Sequence, residues 1–298
     1  MQQSGFRKKH SCQTSLPRLT EQFYTDLFDG KVIGMIALDL KKAFDTVEHR
    51  ILLDKLSHYG IRDVELSWFK SYLDARTQIC MVFNNLSDPE IVKCGVPQGS
   101  IIGPLLFILH VNDMPQCFTK CHVNIYADDT AFYYADTDVQ SVYSVLQSEL
   151  EDVFKWLYGN KLSLNVGKTN CMLICSKQER AHLSENLDLH LDRNEIVQVD
   201  GVKYLGLTID CNLRYDCYMS ELIGNLNKAI GVLCRASKFI NQTTRVTLYN
   251  TLVLPHTDYC STVWGGSLTK VELKKLGLQR LQNCAMMVIR WSARETEI

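Results

Sequence analysis

The stretch VNIYADDTAFYYA (residues 123–135) places two adjacent acidic residues, Asp128 and Asp129, between two apolar runs. This order predicts a β-hairpin with the two carboxylates at its tip. Carboxylates this close raise each other's pKa unless a cation neutralises them, so the pair does not belong in an apolar core. Acidic pairs are also common in ordinary solvated turns, and this pair alone does not define a site.

A third carboxylate, Asp39, lies near the end of the apolar run VIGMIALDL (residues 32–40), which predicts a buried central strand. A charge has no packing use at that point, although an aspartate would also suit a turn or a helix cap. Downstream, Asp45 and Glu48 fit a capping pattern for a helix that would stop at Gly60.

Three carboxylates would meet at one edge of a sheet if the strand of Asp39 lay beside the hairpin of Asp128 and Asp129. Such an oxygen-only set suits Mg²⁺ or Mn²⁺ rather than Zn²⁺. Two such ions would activate an attacking hydroxyl and stabilise the leaving oxygen of a phosphoryl transfer. The three aspartates therefore predict metal-dependent phosphoryl chemistry, provided that the two strands are neighbours.

The remaining pattern predicts a mixed α/β part followed by an all-helical part. Helices are expected at residues 63–74, from Pro104 onward, at 139–157 and through most of the chain after about residue 216. A loop, GVPQGSIIG (95–103), leads into Pro104. Short strands are expected at residues 78–83, 90–93, 162–165, 171–175, 187–191 and 204–209.

The bulk composition is typical of an intracellular globular protein of about two domains. Lys and Arg number 32 against 33 Asp and Glu among 298 residues. The net charge of −1 argues against a uniformly basic nucleic-acid binder, without excluding a local basic channel. The 12 cysteines are too few for a disulfide scaffold, no apolar run is long enough to span a membrane, and the start shows no secretory signal.

Five segments resemble, in order and spacing, the successive palm motifs of reverse transcriptases. Their residues are most similar to those of non-LTR (LINE-type) retrotransposons of the jockey and CR1 groups. They are ALDLKKAFDTV (37–47), GVPQGSIIGPLLF (95–107), YADD (126–129), LSLNVGKTN (162–170) and VKYLGLTID (202–210). QSGFRKKHS (3–11) is similar to a fingers motif that precedes them. The resemblance implies an α+β fold of right-hand polymerase architecture. Partial fingers and a palm with an antiparallel sheet would occupy residues 1–205, and a helical thumb residues 206–298.

The resemblance also implies roles for individual residues. Asp39, Asp128 and Asp129 match the three metal-binding aspartates, on which two Mg²⁺ or Mn²⁺ ions are expected. Phe44 matches the steric gate under the incoming sugar, where an aromatic ring fills the space of a ribose 2′-OH. The remaining matches are Gln98, Gly99 and Arg7 as contacts of the dNTP, Lys168 near the triphosphate, and Tyr204, Leu205 and Gly206 as the primer grip.

Several of these residues also have an ordinary structural interpretation. Phe44 is typical of a core aromatic beside a strand end, and Gln98 with Gly99 of a Gly/Pro turn. Basic residues in the last helices fit a thumb that follows a duplex groove and equally fit the polar face of amphipathic helices: Lys270, Lys274, Lys275, Arg280, Arg290 and Arg294. Two groups of possible zinc ligands have the wrong spacing for a zinc knuckle: Cys117, Cys121 and His122, and Cys171 with Cys175.

The implied function is RNA-directed DNA polymerase of a non-LTR retrotransposon, by two-metal transfer of a nucleotide from a dNTP to a primer 3′-OH on an RNA template. The family's endonuclease and the first part of its fingers are expected to lie in a longer reading frame. The main alternative is a truncated, catalytically silent remnant that at most binds RNA. A nuclease or phosphatase would not explain Phe44 or Gln98.

The resemblance also sets expectations for partners and location. The expected partners are an RNA template, a DNA primer or target DNA, dNTPs and an element-encoded RNA-binding protein, with no membrane. The expected location is the nucleus and cytoplasm, within a ribonucleoprotein.

Overall fold

The structure is a computed structural model that describes residues 2–176, 187–192 and 194–266, together with Met286. The chain forms two compact units. The first contains the residues up to Ser11 and Thr25–Val199, and the second contains Cys12–Tyr24 and the chain from Asp200 onward. This division follows compactness, so the predicted assignment of fingers, palm and thumb to residues 1–205 and 206–298 stays a prediction.

Helices and strands alternate in the first unit, and helices dominate the second. The helices are α1 (Cys12–Phe28), α2 (His49–His58), α3 (Asp63–Leu73), α4 (Gly103–Val111), α5 (Val139–Gly159), α6 (Asp216–Ala236), α7 (Gln242–Leu252), α8 (Leu254–Asp258) and α9 (Ser261–Trp264). The strands are β1 (Val32–Leu38), β2 (Thr77–Gln78), β3 (Met81–Val82), β4 (Asn85–Leu86), β5 (Glu90–Ile91), β6 (His122–Tyr126), β7 (Asp129–Asp136), β8 (Asn170–Ile174), β9 (His190–Leu191), β10 (Asn194–Glu195), β11 (Val197–Gln198), β12 (Gly201–Tyr204) and β13 (Leu207–Asp210).

The first unit is built on a sheet with the strand order β11-β8-β1-β7-β6. β1 is the central strand and pairs antiparallel with β7 on one side and with β8 on the other. β6 pairs antiparallel with β7, and the short β11 runs parallel to β8. The predicted antiparallel sheet with a buried central strand is therefore confirmed.

Helix α5 covers the sheet with one apolar face, as its helical spacing predicts. Val142, Leu146 and Leu150 on this face are buried. The helix can approach β1 closely at Gly34, because a Cβ there would lie only 2.4 Å from Leu146 Cδ1 and 2.5 Å from Val142 Cγ1. Close contact of helix and strand fixes the sheet that carries the acidic residues.

Most of the predicted elements are confirmed, including the hairpin β6–β7, helix α5 and strand β8. Pro104 lies in the first turn of α4, as predicted, because a helix needs no donor there. Gly60 follows α2 with a φ of +94°, which suits a residue without a side chain. Residues 77–91 form two short nested strand pairs around a turn at Phe83 and Asn84.

Three predictions are wrong. Helix α2 begins at His49 and not after Asp45, because the chain before it forms turns in which Asp45 N–H donates to Lys42 O. Residues 162–165 form only an isolated bridge between Leu40 and Leu164 instead of a strand. The single strand predicted at 204–209 is a hairpin, β12–β13, split by a turn. Apart from Met286, the last part of the predicted helical region, with the basic residues from Lys270 to Arg294, lies outside the described residues.

The second unit contains the hairpin β12–β13 and the helices α6 to α9. α6 buries the apolar side chains of Leu222, Leu226 and Leu233. Within the same unit, Tyr24 Oη donates to the backbone oxygen of Leu213 at 3.2 Å. Along the described chain, no helix combines the length and the apolar character needed to cross a membrane.

Candidate active site

The acidic pair lies at the turn of the hairpin β6–β7, as predicted. Tyr126 pairs with Asp129, so Ala127 and Asp128 form the two-residue turn between the strands. Ala127 has a φ of +59°, a left-handed conformation that two-residue hairpin turns require. Asp128 therefore projects from the turn itself, and Asp129 begins the strand next to β1.

The turn is supported by the N-terminal segment of the chain. Gln3, which is buried, accepts with its Oε1 from the backbone N–H of Ala127 at 3.1 Å and of Gly5 at 2.7 Å. Gly5 lies so close to the turn that a Cβ would stand 2.4 Å from the nitrogen of Ala127. The backbone of residues 2–4 also hydrogen bonds to Ile125 of β6. These contacts hold the position of the acidic turn.

Asp39 lies at the same edge of the sheet as the acidic pair. Leu38 pairs with Thr130 in the antiparallel register of β1 and β7, so the next residue pair in that register is Asp39 and Asp129. The chain around Asn165 fixes Asp39 from the other side. Asn165 Nδ2 donates to Asp39 Oδ2 at 2.8 Å, and the backbone N–H of Asp39 donates to Thr169 Oγ1 at 3.3 Å.

The three carboxylates interact electrostatically. Asp129 has one open side, yet burial by the surrounding protein raises its pKa, and the charges of Asp128 and Asp39 raise it further. A cation near the three groups would relieve this repulsion. The donors are oxygens only, which suits Mg²⁺ or Mn²⁺. Within the described residues, however, no three or more His, Cys, Asp or Glu side chains are grouped so that they could hold an ion.

Phe44 lies on the turn that follows Asp39 and is half-buried. Its ring stacks on Phe107 of α4, with the ring centroids 4.4 Å apart and the planes at 27°. Phe6 meets it edge-on at 6.4 Å. The ring is thus held in one orientation while part of it stays accessible, which fits both a packing role and a role as a gate.

Gln98 and Gly99 lie on an exposed loop that is attached to the chain around Phe44. Val96 N–H donates to Phe44 O at 2.8 Å, and Gln98 Nε2 donates to Asp45 Oδ1 at 2.7 Å. Gly99 has a φ of +79° and open space where a side chain would be, so a ligand could approach its backbone. This geometry is compatible with both interpretations of Gln98 and Gly99, an ordinary Gly/Pro turn and a contact of the ligand.

The two predicted basic residues lie on segments that contact the aspartate-bearing elements. Arg7 belongs to the N-terminal segment that supports the acidic turn, and its Nη1 donates to Gln3 O at 3.1 Å. Lys168 is exposed on the loop whose neighbours Asn165 and Thr169 hydrogen bond to Asp39.

The predicted primer-grip residues belong to the second unit. Tyr204 and Leu205 are buried, and the turn between β12 and β13 consists of Leu205 and Gly206, with φ values of +47° and +77°. Tyr259 Oη donates to Leu205 O, and a Cβ on Gly206 would lie 3.3 Å from that hydroxyl. These residues form a turn, which is held by Tyr259.

Sequence reasoning missed the residues that support the predicted site. Gln3, Asn165 and Thr169 lie inside the quoted motifs, but the motifs do not show which residues they contact. The sequence pattern predicts that Asp45 caps a helix. This prediction is wrong, because α2 has no side-chain cap and Asp45 accepts a hydrogen bond from Gln98 instead. No local pattern identifies such long-range partners.

The sequence resembles known proteins over most of its length. The family model described as "Reverse transcriptase (RNA-dependent DNA polymerase)" matches residues 1–209. Among curated proteins, the probable RNA-directed DNA polymerase from transposon BS of Drosophila melanogaster is 29% identical over 96% of this chain and 32% of that protein. The one from transposon X-element of the same species is 25% identical over 99% of this chain and 33% of that protein. The chain thus spans about a third of the length of these relatives.

Two further similarities concern another transposon polymerase and a solved structure. The RNA-directed DNA polymerase from the mobile element jockey of Drosophila funebris is 26% identical over 88% of this chain and 29% of that protein. Among solved structures, telomerase from Candida albicans, in complex with a fragment of telomeric RNA, has a TM-score of 0.49 at 13% identity, over 94% of this chain and 49% of that chain. Because the family model covers well over half of the sequence, the chain belongs to the reverse transcriptase (RNA-dependent DNA polymerase) family.

Proposed function

We propose that this chain is the catalytic part of an RNA-directed DNA polymerase of the non-LTR retrotransposon type, adding nucleotides from dNTPs to a primer 3′-OH. One observation carries the proposal. The register of β1 and β7 brings Asp39 to the edge where Asp128 and Asp129 lie. Phe44 follows on the adjacent turn, in a chain whose family polymerises DNA on RNA.

The family implies a divalent metal, and the three carboxylates have the donor chemistry to hold two Mg²⁺ or Mn²⁺ ions. Ions held by these carboxylates would neutralise charge on an attacking primer 3′-OH and on the departing pyrophosphate. Asn165 and Thr169 hold Asp39 in place through their hydrogen bonds. The pairing of β6 with β7 holds the other two aspartates.

The remaining residues bind and select the nucleotide. Phe44 presents its ring where a ribose 2′-OH would lie, and Phe107 keeps the ring from turning away. Gln98 and Gly99 contact the nucleotide from the loop. Arg7 and Lys168 place positive charge near the triphosphate, where Lys168 donates a proton to the leaving pyrophosphate. Tyr204, Leu205 and Gly206 support the primer end.

The proposed partners are an RNA template, a DNA primer or target DNA, and dNTPs. The names of the transposon polymerases among its relatives support the RNA template and the DNA product. An element-encoded RNA-binding protein and a place in a ribonucleoprotein of the nucleus and cytoplasm belong to the same proposal. They follow from the non-LTR resemblance.

The proposal is tested by primer extension with the purified chain, an RNA template, a DNA primer, dNTPs and Mg²⁺ or Mn²⁺. We expect incorporation by the wild type, and a loss of at least about a thousandfold in Asp128→Asn, because that change removes a metal ligand at the reacting centre. Asp152→Asn is the matched control, since Asp152 is an exposed carboxylate of α5 that pairs with Lys155 at 2.9 Å. It should keep wild-type activity.

Two results would contradict the proposal. A folded wild-type chain that binds RNA but incorporates no nucleotide would favour the catalytically silent remnant. An Asp128→Asn variant as active as Asp152→Asn would show that the carboxylates are not the reacting centre.

A further inference from the structure

The side chain of Gln98 is bonded to Asp45, and this bond determines which way its amide points. Gln98 Nε2 donates to Asp45 Oδ1 at 2.7 Å. An ionised carboxylate has no proton to donate, so it can meet only the NH₂ end of the amide. The carbonyl oxygen of Gln98 must therefore lie on the opposite side, away from Asp45. None of the described residues donates a hydrogen bond to that oxygen.

The backbone around this pair fixes its position. Gly95 N–H donates to Val47 O at 2.7 Å, and Val96 N–H donates to Phe44 O at 2.8 Å. Gly95 has a φ of +89°, and a Cβ there would lie 2.7 Å from Asp45 O. The loop and the turn are thus in close backbone contact, and neither can slide along the other. These contacts hold the backbone at Asp45 next to the loop that carries Gln98.

Among the described residues, the side chain of Asp45 has no structural role besides its hydrogen bond with Gln98. Helix α2 has Glu48 at its N-terminal boundary and no side-chain cap, so Asp45 does not cap it. In the part of the chain that the structure describes, Asp45 forms no ion pair. Its side chain is exposed, so it contributes no packing to the core. The bond to Gln98 is what remains.

We propose that Asp45 is a positioning residue that orients the Gln98 amide, so that its carbonyl oxygen is presented to the ligand as a hydrogen-bond acceptor. The ligand group that it meets must be a donor, such as a hydroxyl or an N–H, because phosphate oxygens at neutral pH only accept. This inference rests on the proposed nucleotide site. It adds a residue that acts on the nucleotide through Gln98 without touching it.

The test measures KM for dNTP and kcat separately in four variants. Asp45→Ala frees the Gln98 side chain, and ordering it again on binding raises KM by about threefold to tenfold with kcat nearly unchanged. Asp45→Asn raises KM by about twofold, because two amides can pair in either orientation. The exchanged pair Asp45→Asn/Gln98→Glu returns KM to the wild-type value, since the introduced asparagine donates to the introduced glutamate and leaves a carboxylate oxygen facing the ligand. Asp88→Ala is the control and leaves KM unchanged, because Asp88 is exposed between β4 and β5.

The outcomes separate this inference from the proposed function. Two outcomes with an active wild type overturn the inference and leave the polymerase proposal standing. In the first, Asp45→Ala has the same KM and kcat as Asp88→Ala. In the second, Asp45→Ala loses kcat while its KM stays at the wild-type value. The inference is also overturned if Asp45→Ala raises KM while Asp45→Asn keeps the wild-type KM. In that case the residue would only link the turn to the loop, without setting the orientation of the Gln98 amide. If the wild type incorporates nothing, NMR decides. The measurement is the rate at which the Gln98 Nε2 protons exchange with solvent, which should be faster in Asp45→Ala than in wild type. Equal rates would overturn the inference.

Discussion

At the scale of the single residue, the negative charges of Asp128 and Asp39 repel the carboxylate of Asp129 in the candidate site. Burial raises the pKa of Asp129, and Asp128 and Asp39 raise it further. A carboxyl whose pKa is higher in the folded than in the unfolded chain destabilises the fold when it is ionised. The free energy of unfolding therefore falls as the pH rises from about 3.9, the ordinary aspartate value, through the raised pKa of the folded chain. The loss is complete once the pH lies above that raised pKa.

The prediction is that Asp129→Asn stabilises the chain at pH 7 while abolishing incorporation. Because the carboxylate is partly open to solvent, the gain is small, and we expect the Tm to rise by about 1–2 °C. Near pH 3 the gain should vanish, since Asp129 is then protonated in both the folded and the unfolded chain. Thermal unfolding followed by circular dichroism at the two pH values measures this difference.

Asp152→Asn serves as the control, because Asp152 is an exposed carboxylate that pairs with Lys155 at 2.9 Å. It should show no gain at pH 7. Added Mg²⁺ should raise the Tm of the wild type more than that of Asp129→Asn, because an ion that binds only the folded state stabilises it. Equal gains for Asp129→Asn at pH 7 and pH 3 would contradict the electrostatic explanation.

At the scale of the element, the acidic hairpin depends on the N-terminal segment packed against its turn. A Cβ on Gly5 would lie 2.4 Å from the backbone nitrogen of Ala127, a contact that side chains do not make. We therefore predict that Gly5→Ala pushes the segment away from the turn and destabilises the chain by about 1–3 kcal/mol. Incorporation should fall as well, because the turn carries Asp128. Denaturant unfolding and primer extension measure the two effects.

Gly159→Ala is the matched control for Gly5→Ala. Gly159 is the last residue of α5, and nothing lies within 4 Å of the position that its Cβ would take. An alanine there should be neutral or slightly stabilising, because it reduces the freedom of the unfolded chain. If Gly5→Ala behaved like Gly159→Ala in both measurements, the N-terminal segment would not support the hairpin.

The elements that the sequence predicts well are those defined by local patterns. The hairpin β6–β7 is visible in 13 consecutive residues of the sequence, and the apolar spacing of α5 in one run. The failures come from distant partners. The pattern of residues 162–165 predicts a strand, yet their backbone groups bond to the turn after β1, where Asn165 N–H donates to Asp39 O at 2.7 Å. Only that outside contact decides between a strand and a supporting loop.

The candidate site follows the same division. The aspartates could be predicted because each ends or breaks an apolar run, and the ordered motifs joined them into one family. The contact of Gln3 with Ala127 spans 124 residues, and neither residue carries a local signal for it. The sequence pattern predicts Leu205 and Gly206 in the middle of a strand, because the alternation of side chains does not show the positive φ values of a turn.

At the scale of the whole molecule, family membership agrees with the predicted right-hand polymerase class, while net charge is a poor guide to partners. The chain carries a net charge of −1, which taken alone argues against a polyanionic partner. Three of the acidic groups, however, form the proposed metal site, where bound cations offset their charge. Lys8 and Lys9 are exposed in the N-terminal segment beside Arg7. Local clusters of charge, rather than the total, should therefore govern nucleic-acid binding.

We accordingly predict that binding of an RNA–DNA template–primer weakens steeply with salt, by more than about tenfold between about 50 and 200 mM, despite the negative net charge. The physical reason is that each phosphate contact by Lys or Arg releases a counterion from the nucleic acid. Lys9→Gln should lower the slope of log K against log salt by about one unit. Lys155→Gln should leave it unchanged, since Lys155 is paired with Asp152 on α5. Fluorescence anisotropy with a labelled primer measures the slope without requiring incorporation. A flat dependence, or equal slopes for the two variants and the wild type, would mean that the overall charge and not the basic segment governs binding.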